Sequence, residues 1–186
     1  MYAFAFCSKL VGIVLVVIGS LALGLRIATN MRGRIVALRH IERILCYLEG
    51  ELKARHAGLG EALVNVSRKA PKPYDKWLKE LAKAIDYVYI SNENSLEYKD
   101  FYTIWCKSLT ILCENTQLSF QDITNLYDVG KALGYLDIES QQMNLALERE
   151  RLHGTILELD KDLNSRMKNA VVMCFLGGLL TVIALV

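Results

Sequence analysis

The sequence predicts an all-α protein, a roughly six-helix bundle flanked by an N-terminal and a C-terminal transmembrane helix. Three observations carry that expectation. Residues 10–25 and 170–186 hold no charged side chain, and 26 of these 33 residues are apolar. The remaining 153 residues are about 48% apolar against 53% for the whole chain, an ordinary value for a water-facing domain. Within that domain apolar residues recur at spacings of three and four, and only two prolines interrupt them. Disordered, collagen-like and average soluble-enzyme compositions are excluded.

The first element is the apolar stretch 10–25, preceded by Lys9. A span takes ~20 residues to cross a ~30 Å hydrocarbon core, and outward extension through Phe4, Phe6 and Cys7 reaches that length. A buried core helix would show a polar face, and this stretch has none. No convincing cleavage site follows it, so an uncleaved anchor is expected rather than a signal peptide. Arg26, Arg32, Arg34, Arg39 and Arg43 come directly after it. Arg149, Arg151, Lys161, Arg166 and Lys168 precede the second apolar stretch. The excess of positive charge on the inner side of membranes then orients the chain. Residues 1–9 form a short extracytoplasmic N-terminus, 10–25 and 170–186 cross the membrane, and 26–169 form a cytoplasmic helical domain. Both termini lie outside.

The domain is read as follows. A helix spans about 30–56, with Leu38, Ile41, Leu45, Leu48 and Leu52 forming a heptad seam. Only Gly33 stands between it and the first span, so the two can be one helix. A short helix follows near 61–69. Pro71 and Pro73 break and restart the chain, and a helix over 74–90 buries Trp77, Leu81, Ile85 and Val88. Residues 91–95 (SNENS) are the clearest loop. A helix over 96–114 turns Phe101, Trp105, Leu109 and Leu112 inward. Ser119 caps the next helix, with Asp122 completing a capping box, and that helix ends near Gly134. The last helix begins after Asp137. Leu145, Leu152, Ile156, Leu159, Leu163 and Met167 line its seam.

Charge divides the chain. Residues 26–83 carry a net +7 and residues 84–164 a net −8, which the overall +2 conceals. A nucleic-acid domain would be basic throughout, so nucleic acid is not expected as a partner. Oppositely charged faces suit an assembly component. Lys72, Lys76, Lys79 and Lys83 form one stripe opposite the apolar face of their helix. They are candidates for docking an acidic protein or the anionic membrane surface, or else a solvated helix face. Arg26, Arg32, Arg34, Arg39, Arg166 and Lys168 are assigned to membrane topology. Ser20 and Gly24, and Cys174 and Gly178, place small residues four apart on each span, a spacing that permits close helix approach.

Chemistry is not expected. The five cysteines show no zinc or redox spacing and are read as reduced, buried residues. His40, His56 and His153 lack metal spacing. No phosphate loop, dinucleotide fingerprint or nucleophile elbow occurs. No catalytic, cofactor or metal residue is assigned, no small-molecule substrate is expected, and the chain is read as non-enzymatic.

Four places resemble the stage III sporulation protein AB family across nearly the whole chain. They are the Arg-rich heptad helix from Arg32-Gly-Arg-Ile-Val-Ala-Leu-Arg39 through Leu52, Leu59-Gly-Glu-Ala-Leu63, the run DITNLYDVGKALG from Asp122 to Gly134, and Leu176-Gly-Gly-Leu-Leu180 in the apolar tail. Gly60 stands where the family pattern has proline, and Val129 replaces the aromatic before Gly130. Asp137, Glu139 and Gln141 only approximate the family's following motif. The resemblance implies a soluble part similar to the cytoplasmic domain of type II secretion F platform proteins. It implies residence in the mother-cell membrane facing the forespore. There the chain would serve as a non-catalytic platform of a secretion channel, partnered by a stage III sporulation protein AA-like ATPase and other channel components, while the small-residue spacing of the spans allows a homo-oligomer. A membrane-anchored signalling or scaffold module, with its long helices as a transmitting hairpin, is the alternative.

Overall fold

The computed structural model describes residues 2–55, 58–91, 98–134 and 138–185. Among the described residues there are seven α-helices and no strand: α1 Tyr2–Arg55, α2 Leu59–Ser67, α3 Tyr74–Ser91, α4 Tyr98–Glu114, α5 Phe120–Leu133, α6 Ile138–Lys161 and α7 Leu163–Leu185. Helix α1 is unbroken through Gly33, so the expected first span and heptad helix are one element. The expected last helix is divided at Asp162, where Arg166 N–H still donates to the Asp162 carbonyl at 2.9 Å. The loop expected at 91–95 lies, from residue 92, outside the described residues. So do His56, Asp137 and the side chains of Phe4, Phe6, Cys7, Lys9 and Val88.

The chain forms two compact units, one from Met1–Gly33 with Glu158–Val186 and one from Arg34–Leu157. In the first, α1 and α7 meet at small residues. A Cβ on Gly24 would lie 3.0 Å from the Val171 Cα, and one on Gly178 would lie 2.3 Å from the Ser20 hydroxyl oxygen. The four-residue spacing read from the sequence therefore marks a real close approach. Both helices are long and apolar enough to cross a membrane, and only 11% and 6% of their most apolar windows are covered by protein. Leu15, Ile18, Leu23, Leu180 and Ile183 are 60–69% exposed. A core helix of a water-soluble domain would bury such side chains, each worth about 1.5–3 kcal/mol of burial. Gly24→Leu is expected to force α1 from α7 and lower the melting temperature of the full chain in detergent. Its cost is about 1–3 kcal/mol, typical of overpacking. Gly19→Leu, with nothing within 4 Å of its Cβ position, is expected to be silent in the same melt.

The second unit is built on the heptad seam. Leu38, Ile41, Leu45, Leu48 and Leu52 are each at most 2% exposed. Helix α6 runs beside α1, joined by Arg149 to Glu49 at 3.1 Å and by His153 to Glu42 at 2.6 Å. Helix α3 starts on the Pro71 and Pro73 carbonyls, which accept from Asp75 and Trp77 N–H. It buries Trp77, Leu81 and Ile85, while α4 buries Phe101, Trp105, Leu109 and Leu112. Trp77 and Trp105 meet edge to face with centroids 5.6 Å apart, a favourable aromatic geometry. Helix α5 packs on α4 through Gly130. A Cβ there would sit 2.2 Å from Trp105 Cδ1, so only glycine leaves room for the indole. The same indole N–H donates to the Leu126 carbonyl at 2.8 Å.

Candidate functional site

Helix α5 opens with the capping box expected from the sequence. Ser119 accepts from Asp122 N–H at 3.3 Å and Asp122 accepts from Ser119 N–H at 2.8 Å, satisfying two donors at the helix start. In the structure Asp122 is also gripped by Arg34: Nε donates to Oδ2 and Nη2 to Oδ1, each at 2.8 Å. The Asp122 side chain is only 1% exposed. Burial pushes its pKa up, but the bidentate guanidinium and the Ser119 N–H and hydroxyl outweigh this and hold it below the usual carboxylate range. Hydrogen bonding to Asp122 raises the Arg34 pKa in turn. Arg34, assigned from sequence to membrane topology, is thus also a structural clamp between α1 and α5. Eighty-eight residues separate the pair, and no local pattern links them.

Further contacts tie α1 to its neighbours. Glu51, nearly buried, accepts from Lys69 at 3.0 Å and Asn65 at 3.2 Å, fastening α2. Lys69 also lies 5.5 Å from the Tyr47 ring centroid. Tyr74 stacks on His40 at 5.5 Å, and burial raises its phenol pKa to about 12.

The candidate docking lysines Lys72, Lys76, Lys79 and Lys83 are all exposed; Lys76, Lys79 and Lys83 lie on the side of α3 away from its buried face, and Lys72 stands in the turn before the helix. Lys79 lies 3.9 Å from Asp75. Among the topology residues, Arg26, Arg32, Arg39, Arg166 and Lys168 are exposed. Arg166 reaches Asp162 at 3.6 Å. The i, i+3 pair Glu148–Arg151 closes at 2.6 Å. Of the cysteines expected to be buried, Cys46 is exposed and Cys106, Cys113 and Cys174 are half-buried. Cys46 falls on the solvent side of the heptad helix, although its sequence neighbours Leu45 and Leu48 are buried. Among the described residues, no group of three His, Cys, Asp or Glu is placed to hold a metal ion.

Two surface grooves accompany these faces. One, of ≈ 200 Å³, lies between α3 and α4 over Trp77, Leu81, Ala84, Ile104 and Ile111. The other, also ≈ 200 Å³, lies between α5 and α6 and is edged by Asp128, Glu148 and Arg151. The first was missed from sequence because Ile104 and Ile111 flank the Phe101–Trp105–Leu109–Leu112 stripe. A wider apolar stripe on α4 was the available signal.

A family model described as stage III sporulation protein AB matches residues 9–186. A solved structure of a stage III sporulation protein AB is similar to this chain. It has a TM-score of 0.58 and 21% identity, and the match covers 70% of this chain and 96% of that one. At that identity the likeness speaks for the fold. No curated protein matches this chain.

Proposed function

The chain belongs to the stage III sporulation protein AB family, and from that premise we propose that it is a non-catalytic membrane platform. Its role is in a sporulation-specific secretion channel between mother cell and forespore, where it docks a cytoplasmic secretion-type ATPase. The observation that carries the reading is the placing of charge on the fold. An exposed lysine face on α3 belongs to the second unit, while two uncovered apolar helices form the first. A lysine face recruits acidic surfaces by long-range attraction that salt weakens. Helices α1 and α7 supply anchorage, with residues 26–169 in the cytoplasm and both termini outside.

Binding of the full chain in detergent to a stage III sporulation protein AA-like ATPase tests this. The quadruple change Lys72→Glu, Lys76→Glu, Lys79→Glu and Lys83→Glu is expected to weaken binding at least tenfold, and raised salt to weaken the unaltered pair. Equal binding by both forms removes the docking face from the proposal. Absence of binding by either removes the motor. A reporter fused after Asn94 that reads as extracytoplasmic overturns the orientation.

One observation favours a second reading, a signalling or scaffold module with a helical-hairpin transmitter. Helix α1 continues from the first apolar segment into the heptad seam without a break. A break engineered at Gly33 by proline separates the two. It interrupts a transmitter but leaves docking on α3 intact.

A further inference from the structure

Helix α6 presents an outward stripe that stays exposed among the described residues. Met143, Leu147, Glu150, Gly154 and Leu157 follow one another at spacings of four, three, four and three, so they share one face. Met143, Leu147 and Leu157 are 70%, 46% and 57% exposed. A Cβ placed on Gly154 meets nothing within 4 Å, which leaves the backbone open to close approach. The stripe is apolar with Glu150 near its centre, exposed Glu139 and Glu158 flank it, and exposed Lys161 follows Leu157 by four residues at its C-terminal end.

The groove between α3 and α4 has the opposite charge character. Its floor is Trp77, Leu81, Ala84 and Ile104, and half-exposed Ile111 forms its lip. Lys107 and Glu80 edge it, and Lys76 lines an adjoining pocket that shares Trp77, Glu80 and Ile111 with it. The buried Trp77 indole N–H has no acceptor among the described residues. Indoles buried in a finished core normally find one, so this face has the character of an incomplete interior.

We propose that α6 of one copy lies in the α3–α4 groove of a second copy, joining the chains head to tail. Leu147 and Leu157 enter the groove, Glu150 faces Lys107 or Lys76, and Gly154 lets the helix sit close. An amphipathic helix in an apolar groove is a common recognition geometry, with anchors at this spacing. Self-association accounts for both surfaces at once, because each supplies what the other lacks in shape and charge. The two patches differ, so the contact is heterologous and repeats from copy to copy. A single helix face buries less than the ~800 Å² per partner of a stable soluble complex. Anchoring both copies in one bilayer offsets this by raising their effective concentration.

The test uses purified full chain in proteoliposomes, with Leu147→p-benzoylphenylalanine as a photo-cross-linker. A cross-linked dimer whose attachment maps to α3 or α4 is expected. Ile111→Asp, at a half-exposed position, and the milder Lys107→Glu are each expected to reduce dimer at least tenfold while far-UV circular dichroism stays unchanged. Chains carrying only Ile111→Asp, mixed with chains carrying only Leu157→Asp plus the cross-linker, are expected to give little cross-linked dimer. The reverse mixture, with the cross-linker on the Ile111→Asp chain, restores it, because that chain keeps its α6 and its companion keeps its groove. Absence of cross-linked dimer from the unaltered chain, attachment to α6 of the second copy, or equal cross-linked dimer in both mixtures overturns the proposal.

Discussion

Gly130→Ala is expected to destabilise the full chain by about 2 kcal/mol, although alanine is the better helix former by about 1 kcal/mol. The reason is the indole of Trp105, whose Cδ1 lies 2.2 Å from where the new Cβ must stand. The ring cannot retreat freely. It is 1% exposed, packed edge to face on Trp77 and at a tilt against Phe101, and held by its N–H on the Leu126 carbonyl. Displacing it costs about 1–3 kcal/mol of overpacking, and stranding the buried N–H and carbonyl adds about 1–3 kcal/mol. Gly130→Leu is expected to cost more still. Thermal melts in detergent measure both. The double change Trp105→Ala with Gly130→Ala separates the cause. With the indole gone, Gly130→Ala is expected to become neutral or mildly stabilising. If Gly130→Ala costs as much without Trp105 as with it, the seat is not the reason for glycine.

That pair also shows what the sequence can and cannot convey. Trp105 was legible as core because it falls on the Phe101–Leu109–Leu112 stripe, and the capping box marked where α5 starts. Both are local patterns fixed by 3.6-residue periodicity and by unsatisfied donors at a helix end. That Gly130 exists to admit Trp105 was not legible, since it depends on how α4 meets α5. The same limit explains Arg34. Five arginines after an apolar stretch carry one strong message about topology, and it masked the second role of one of them. The candidate lysine face was legible because a face is periodic. The α3–α4 groove was not, because a groove belongs to two helices.

Arg34→Ala is expected to be among the most damaging single changes on the surface of α1. It leaves the Asp122 carboxylate buried and facing only Ser119. Breaking one partner of a buried ion pair typically costs about 3–5 kcal/mol, and the partial exposure of Arg34 places this case at or below the lower end. Arg34→Lys is expected to recover only part, because an ammonium cannot make the two parallel bonds to Oδ1 and Oδ2. The pH dependence identifies the mechanism. The folded pKa of Asp122 lies below the ordinary value near ~3.9, so the unfolded chain binds the proton more readily in that range. The stabilisation is therefore complete above the unfolded pKa and is lost as pH falls through the folded one. Removing Arg34 removes the main influences that lower this pKa and leaves the burial that raises it. The Asp122-linked loss of stability in acid is then expected to be smaller or reversed in Arg34→Ala, so that its deficit against the unaltered chain is largest near neutral pH and narrows as pH falls. Asp122→Asn keeps much of the shape without the charge, and should lose stability at neutral pH yet have a flatter acid limb. Parallel pH titrations of melting temperature decide the matter. If Arg34→Ala and the unaltered chain lose stability equally over the acid range, the clamp does not set the Asp122 ionisation.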